Sequence, residues 1–152
     1  MKKLYAAALL AGLALGAQAQ TVQVTEAWAR PAVPGQSATS VFAHFKSPTG
    51  ARLVGVSTPA AGMAQVHEMK MVGDVMQMRE LDGGLALPPG QDVALTPGGQ
   101  HIMLMDLHQA LPAGSKLPIE LRFVDANGKA STVKLDVPVQ MLPPKPGAQS
   151  KP

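Results

Sequence analysis

The sequence contains no cysteine, and only 3% of its 152 residues are aromatic. A domain without cysteine has no disulfide framework, so its stability has to come from the packing of an apolar core. The absence of a thiolate also excludes the blue-copper type of electron carrier, whose metal is held by two histidines and a cysteine. Charged residues are sparse as well, at 15%, and they form no basic cluster of the kind that binds nucleic acid.

The first 19 residues have the three parts of a secretory signal peptide. Lys2 and Lys3 form the basic region, the apolar run follows over residues 4–16, and Ala17-Gln18-Ala19 is the cleavage signal. The apolar run is too short to span a membrane, and no cysteine follows it to accept a lipid. We therefore expect a soluble protein that is exported to the periplasm, without stable membrane insertion.

The remaining chain predicts one domain over residues 20–139, which is long enough to bury its own core. No internal repeat or linker divides it. Residues 140–152 are rich in proline and lysine and poor in apolar side chains, so we expect a disordered tail. We expect the domain to be a monomer.

Short alternating segments, separated by frequent turn signals, predict an antiparallel β-sandwich or barrel without long helices. Gly73-Asp74 places glycine first, as a type II′ hairpin turn requires, and Asn127-Gly128 predicts a type I′ turn. Trp28 is expected to anchor the core. The predicted strands cover residues 22–29, 37–46, 51–57, 67–72, 75–80, 85–87, 92–96, 101–107, 116–125 and 129–139.

Methionine and histidine are concentrated between residues 67 and 105, which contain six of the nine methionines and two of the four histidines. Thioether sulfur and imidazole nitrogen are soft to borderline ligands. A group of them without carboxylates suits Cu(I) better than Mg²⁺, Ca²⁺ or iron. The composition of this stretch therefore predicts a copper site, whereas His44 and His108 lie outside it and are expected to be surface residues.

The Gly73-Asp74 turn sets the register of the hairpin that contains most of these side chains. Alternation along each strand then puts one histidine and four methionines on one face. A second strand presents a histidine and two methionines on one side, and we expect the two patches to meet across about one sheet spacing. The first patch is His67, Met69, Met71, Met76 and Met78, and the second is His101, Met103 and Met105.

The spacing His67-x10-Met78-x22-His101-x-Met103 closely resembles that of the PCuAC family of periplasmic copper chaperones. Further matches are Gly98-Gly99-Gln100 before His101, the segment over residues 27–31, and Gly83-Gly84-Leu85. The resemblance extends over residues 22–139. It implies an all-β, cupredoxin-like Greek-key fold, and Cu(I) held by His67, Met78, His101 and Met103.

The resemblance also implies delivery of copper to the CuA site of cytochrome c oxidase, to another respiratory copper centre, or to another copper chaperone. It assigns no role to the other methionines. We expect Met105 to lie in the core or behind the ligands, and Met69 and Met76 to lie partly exposed around the site. No position is predicted for Met71.

Two alternatives to a chaperone remain. A periplasmic copper scavenger that provides tolerance needs the same ligands but no docking partner. A copper enzyme or electron carrier is disfavoured because cysteine and a three-histidine set are missing. The acidic residues near the site have no nucleophile, oxyanion loop or paired-carboxylate pattern beside them, so we expect no catalysis.

Overall fold

The computed structural model describes residues 22–150, and the predicted signal peptide lies outside this range. Ten strands form within it, and no helix there is long and apolar enough to cross a membrane. Nine of the strands begin and end within one residue of the predicted bounds. The strands are β1 Gln23–Ala29, β2 Ala38–Lys46, β3 Ala51–Ser57, β4 Ala61–Val72, β5 Val75–Glu80, β6 Leu85–Leu87, β7 Asp92–Leu95, β8 His101–Leu107, β9 Lys116–Asp125 and β10 Ala130–Pro138.

The strands form two antiparallel sheets around one core. The larger sheet has the order β1-β2-β8-β4-β5, and the smaller has the order β10-β9-β3-β6. The short strand β7 also belongs to the larger sheet, where it pairs with residues 43–46 of β2. Phe45 of β2 and Phe123 of β9 meet edge to face across the core at 6.0 Å between ring centroids. The prediction of an all-β, cupredoxin-like fold is confirmed.

The larger sheet has a core face and an outer face, because successive side chains of a strand point to opposite sides. On β8, Ile102 and Leu104 are buried in the core. Their neighbours His101, Met103 and Met105 therefore point to the outer face. The histidine and methionine side chains lie on the outside of the sandwich, not within it.

The β4–β5 hairpin has the predicted register, with Met69 opposite Met78 and Met71 opposite Met76. Gly73 has φ 63°, as the first residue of a type II′ turn requires. The start of β4 differs from the prediction, since the strand begins at Ala61 and not at His67. The additional residues pair with β8, so tertiary pairing extends the strand beyond the local pattern.

The turn between β9 and β10 is not the predicted type I′ turn. A type I′ turn needs positive φ at both central residues, and Asn127 is not among the described residues with positive φ, whereas Gly128 has φ 81°. The Asp125 carboxylate accepts hydrogen bonds from the backbone N–H groups of Asn127 and Lys129, each at 2.9 Å. This side-chain bonding favours a three-residue loop with glycine in the left-handed conformation.

The C-terminal segment returns along β1, although its composition predicts disorder. The N–H of Glu26 donates to the Ala148 carbonyl at 2.8 Å, and the Ala27 N–H donates to Ser150 Oγ at 3.1 Å. A bulge between Thr25 and Trp28 turns these groups away from β2, where they would otherwise lack partners. The segment therefore completes the hydrogen bonding of an edge strand.

Candidate metal centre

Two histidines face each other at the middle of the outer face. His67 of β4 and His101 of β8 are register partners, and their ring centroids are 6.0 Å apart. An imidazole nitrogen lies about 2.0–2.1 Å from a bound first-row ion such as zinc, so two rings sharing one ion have centroids roughly 6 Å apart. The ring separation therefore fits one metal ion between the two imidazoles.

Hydrogen bonds determine which ring nitrogen of each histidine is free. Nδ1 of His101 donates to the Gly99 carbonyl at 3.1 Å, which leaves its Nε2 with a lone pair. Nε2 of His67 donates to Gln65 Oε1 at 3.1 Å, and the Gln65 amide donates to Glu80 Oε2 at 2.9 Å. The free nitrogen of His67 is therefore Nδ1.

That Nδ1 atom is buried and has no hydrogen-bond partner. A buried polar atom without a partner is costly in a native structure and calls for an explanation such as an ion. The pKa of His67 is lowered from 6.5, mainly by burial and also by His101, while Glu80 opposes the shift. A lowered pKa favours the neutral ring, which is the form that binds metals.

The two methionines implied as ligands flank the histidine pair on opposite sides. Met103 follows His101 by two residues on β8 and lies opposite Gln65. Met78 lies on β5, opposite Met69 and diagonal to His67. Each is one step, about 7 Å, along the strand direction from the histidine row. The long and flexible methionine side chain suits an approach from either side.

The other methionines continue this arrangement in both directions. Met71 and Met76 pair beyond Met69 and Met78, and Met63 pairs with Met105 beyond Met103. Met105 therefore lies half-buried on the outer face, which rules out the core position that was one of its two predicted places. We call the whole array the thioether track: Met63, Met105, Met103, His101, His67, Met69, Met78, Met71 and Met76.

An aromatic pair shields the other side of His101. Phe42 of β2 lies 6.4 Å from His101 between ring centroids, and Trp28 lies 4.8 Å from Phe42. Both aromatic residues are buried, yet neither belongs to the core cluster between the sheets. Trp28 is buried as predicted, but it packs on Phe42 and not in the cluster between the sheets, because alternation along β1 puts Ala27 and Ala29 inward.

The remaining histidines do not join the centre. His44 pairs with Asp92 at 2.9 Å and Glu26 at 3.5 Å, and His108 lies 3.7 Å from Asp106. Across residues 22–150, no three histidine or carboxylate side chains are grouped so as to hold a metal. The further ligands that lie beside the His67–His101 pair and suit a soft ion are thioethers.

Residues 22–139 match the family described as "Putative lipoprotein LpqE-like". The chain belongs to this LpqE-like family. It is 40% identical over 128 residues to "Putative lipoprotein Lxx21020" of Leifsonia xyli subsp. xyli, a match that covers 82% of this chain and 73% of the relative.

Solved structures similar to this LpqE-like chain are PCuAC domains, so the predicted resemblance is confirmed. The apo PCuAC domain of PmoF1 superimposes with a TM-score of 0.63 at 26% identity, covering 80% of this chain and 94% of that domain. The Cu(I) form of DR1885 from Deinococcus radiodurans gives a TM-score of 0.56 at 28% identity and covers 83% of each chain.

The sequence analysis assigned no role at the centre to three of its neighbours. Glu80 lies opposite His67, a position that the hairpin register already implied. Gln65 and Met63 share the outer face with His67, but the predicted strand began too late to include them. The two-residue spacing of Met63, Gln65 and His67 was the available signal.

Proposed function

We propose that this protein is an extracytoplasmic Cu(I) chaperone that supplies a respiratory copper centre such as the CuA site of cytochrome c oxidase. The ion is held by His67, Met78, His101 and Met103. The observation that carries the proposal is the buried, unpartnered Nδ1 of His67 beside His101, with thioethers on both flanks. The similarity to a Cu(I)-loaded PCuAC protein supports the choice of metal.

The ligand set suits an ion that has to be passed on. Imidazole and thioether are neutral, so bound Cu(I) keeps its positive charge, which a thiolate acceptor would neutralise. Thioethers select Cu(I) among the available ions and do not form disulfides in an oxidising compartment. The complex therefore favours transfer to an acceptor that contains thiolates.

Gln65 and Glu80 act in this site as positioning residues. Metal-binding histidines commonly donate their other ring N–H to an acceptor that fixes the ring and its tautomer. Here Gln65 receives that hydrogen bond, and Glu80 in turn holds the Gln65 amide. The pair of contacts keeps Nδ1 of His67 aimed at the ion.

One side of the site is closed and the other is open. Phe42 and Trp28 cover the His101 side, whereas Met78 is 47% exposed on the edge strand β5. An incoming acceptor ligand therefore displaces Met78 first, and the histidines release the ion afterwards. Lipoprotein relatives and the predicted signal peptide support a periplasmic location.

The test is transfer of copper from the loaded chain to a purified, copper-free CuA domain. After anaerobic mixing the two proteins are separated, and copper is measured in each. We expect copper to move to the CuA domain, and a His67→Ala/His101→Ala variant to deliver none. A wild-type chain that binds Cu(I) tightly but keeps it would contradict the chaperone function and favour a scavenger.

A further inference from the structure

The β4–β5 hairpin presents four methionines beyond the histidine pair, which we call the hairpin patch: Met69, Met71, Met76 and Met78. They form two successive cross-strand pairs on one face. Side chains directly opposite each other in an antiparallel pair have Cβ atoms about 4.5–5.5 Å apart. Four thioether sulfurs are therefore gathered within two neighbouring rows of the sheet.

These methionines do not fill a core. Met71 is 55% exposed and Met76 is 50% exposed, at the end of a hairpin whose β5 strand is exposed on both faces. On the opposite face of the hairpin, Val72 and Val75 pair beside the turn, and the rest is polar, with Arg79 and Glu68 paired at 2.7 Å. Methionine normally fills gaps inside a protein, so a purely structural role does not account for an exposed face made of thioethers alone.

We propose that the Met71–Met76 pair at the outer end of the hairpin patch is a second, weaker Cu(I) site. Copper enters and leaves the histidine centre through this pair. This inference rests on the proposed function. Thioethers select Cu(I), and a site without imidazole binds it less tightly than the His67–His101 centre.

The order of rows provides the route. The Met71–Met76 pair lies one row from Met69–Met78, which lies one row from His67. Each step is about 7 Å along the strands, a distance that flexible methionine side chains shorten by bending toward each other. In each step a Cu–S bond to the next row forms as a bond to the previous row breaks, and the ion remains Cu(I) throughout.

The other end of the thioether track provides a matched control. Met63 and Met105 are also register partners on the same face, but a single thioether pair stands there, and Met105 is half-buried. If exposed methionine pairs on this sheet bound copper without specificity, both ends would behave alike. The proposal requires that they differ.

The experiment uses the full mature chain labelled with ¹³C at the methionine methyl groups, titrated anaerobically with Cu(I) and followed by NMR. The first equivalent should shift the methyl signals of Met78 and Met103. The second equivalent should shift those of Met71 and Met76. A Met71→Leu/Met76→Leu variant should keep the first equivalent at unchanged affinity, lose the second, and take up Cu(I) more slowly from a chelator.

The control variant, Met63→Leu/Met105→Leu, should retain both equivalents and the normal uptake rate. The hairpin site is refuted if the second equivalent leaves Met71 and Met76 unshifted, or if the two double variants behave the same. Failure of the proposed function looks different, because the first equivalent would then bind without shifting the methyl signals of Met78 and Met103.

Discussion

Replacing Gln65 with leucine should weaken Cu(I) binding although Gln65 is not a ligand. The change removes the acceptor of the His67 Nε2 hydrogen and the donor to Glu80, so the ring is free to rotate or to change tautomer. Loss of such a supporting contact typically lowers metal affinity about 10- to 100-fold, which corresponds to about 1.4–2.8 kcal/mol of binding free energy.

The affinity is measured by competition with a chromophoric Cu(I) chelator, and ¹⁵N NMR reports the tautomer of His67. Gln77→Leu is the matched control, because Gln77 lies on the polar face of the same hairpin, opposite Lys70. We expect the control to bind copper like the wild type. If Gln65→Leu also kept wild-type affinity, while His67→Ala lost it, the positioning role of Gln65 would be refuted.

Three further predictions concern the ligands, pH and the tail. Met78→Ala or Met103→Ala should weaken Cu(I) binding at least about tenfold while changing the free energy of unfolding by only about 0.5 kcal/mol; a larger affinity loss in Met105→Ala would contradict the ligand assignment. The pKa of His67 in the folded chain lies below 6.5, the ordinary value for histidine. As the pH falls, this ring is therefore protonated in the unfolded chain before it is protonated in the folded chain. Copper-free protein should therefore lose stability as pH falls through that value, and denaturant titrations at about pH 7.5 and about pH 5.5 should show a smaller loss in His67→Ala. Deleting residues 141–152 should leave one tightly bound Cu(I) under chelator competition, yet lower stability by about 1–3 kcal/mol through the lost bonds to β1; a copper equivalent that disappears with the tail would refute the single tight site.

The hairpin half of the site was predictable because a two-residue turn determines the pairing of its strands. Once Val72 is placed opposite Val75, the partners of Met71 and Met69 follow by counting. The alternation of β8 was equally local, since His101, Met103 and Met105 alternate with the apolar Ile102 and Leu104. Short-range geometry therefore predicts both halves of the site separately.

The relation between the halves depends on long-range pairing that the local sequence does not determine. That His67 lies directly opposite His101 follows from the β4–β8 register. The position of Phe42 beside His101 follows from β2–β8 pairing, and the outward direction of Trp28 depends on the bulge in β1. The contacts of Ala148 and Ser150 with β1 were not predictable for the same reason, because these acceptors serve an edge strand far away in sequence.

X-ray absorption on the chain loaded with one equivalent of Cu(I) tests the central claim most directly. Two imidazoles and two thioethers should produce mixed nitrogen and sulfur scattering, together with the outer-shell pattern of histidine rings. The sulfur contribution should fall in a Met78→Ala/Met103→Ala variant, whose described neighbours offer no thiolate in its place. A wild-type spectrum explained by nitrogen and oxygen ligands alone would contradict the assignment of this site.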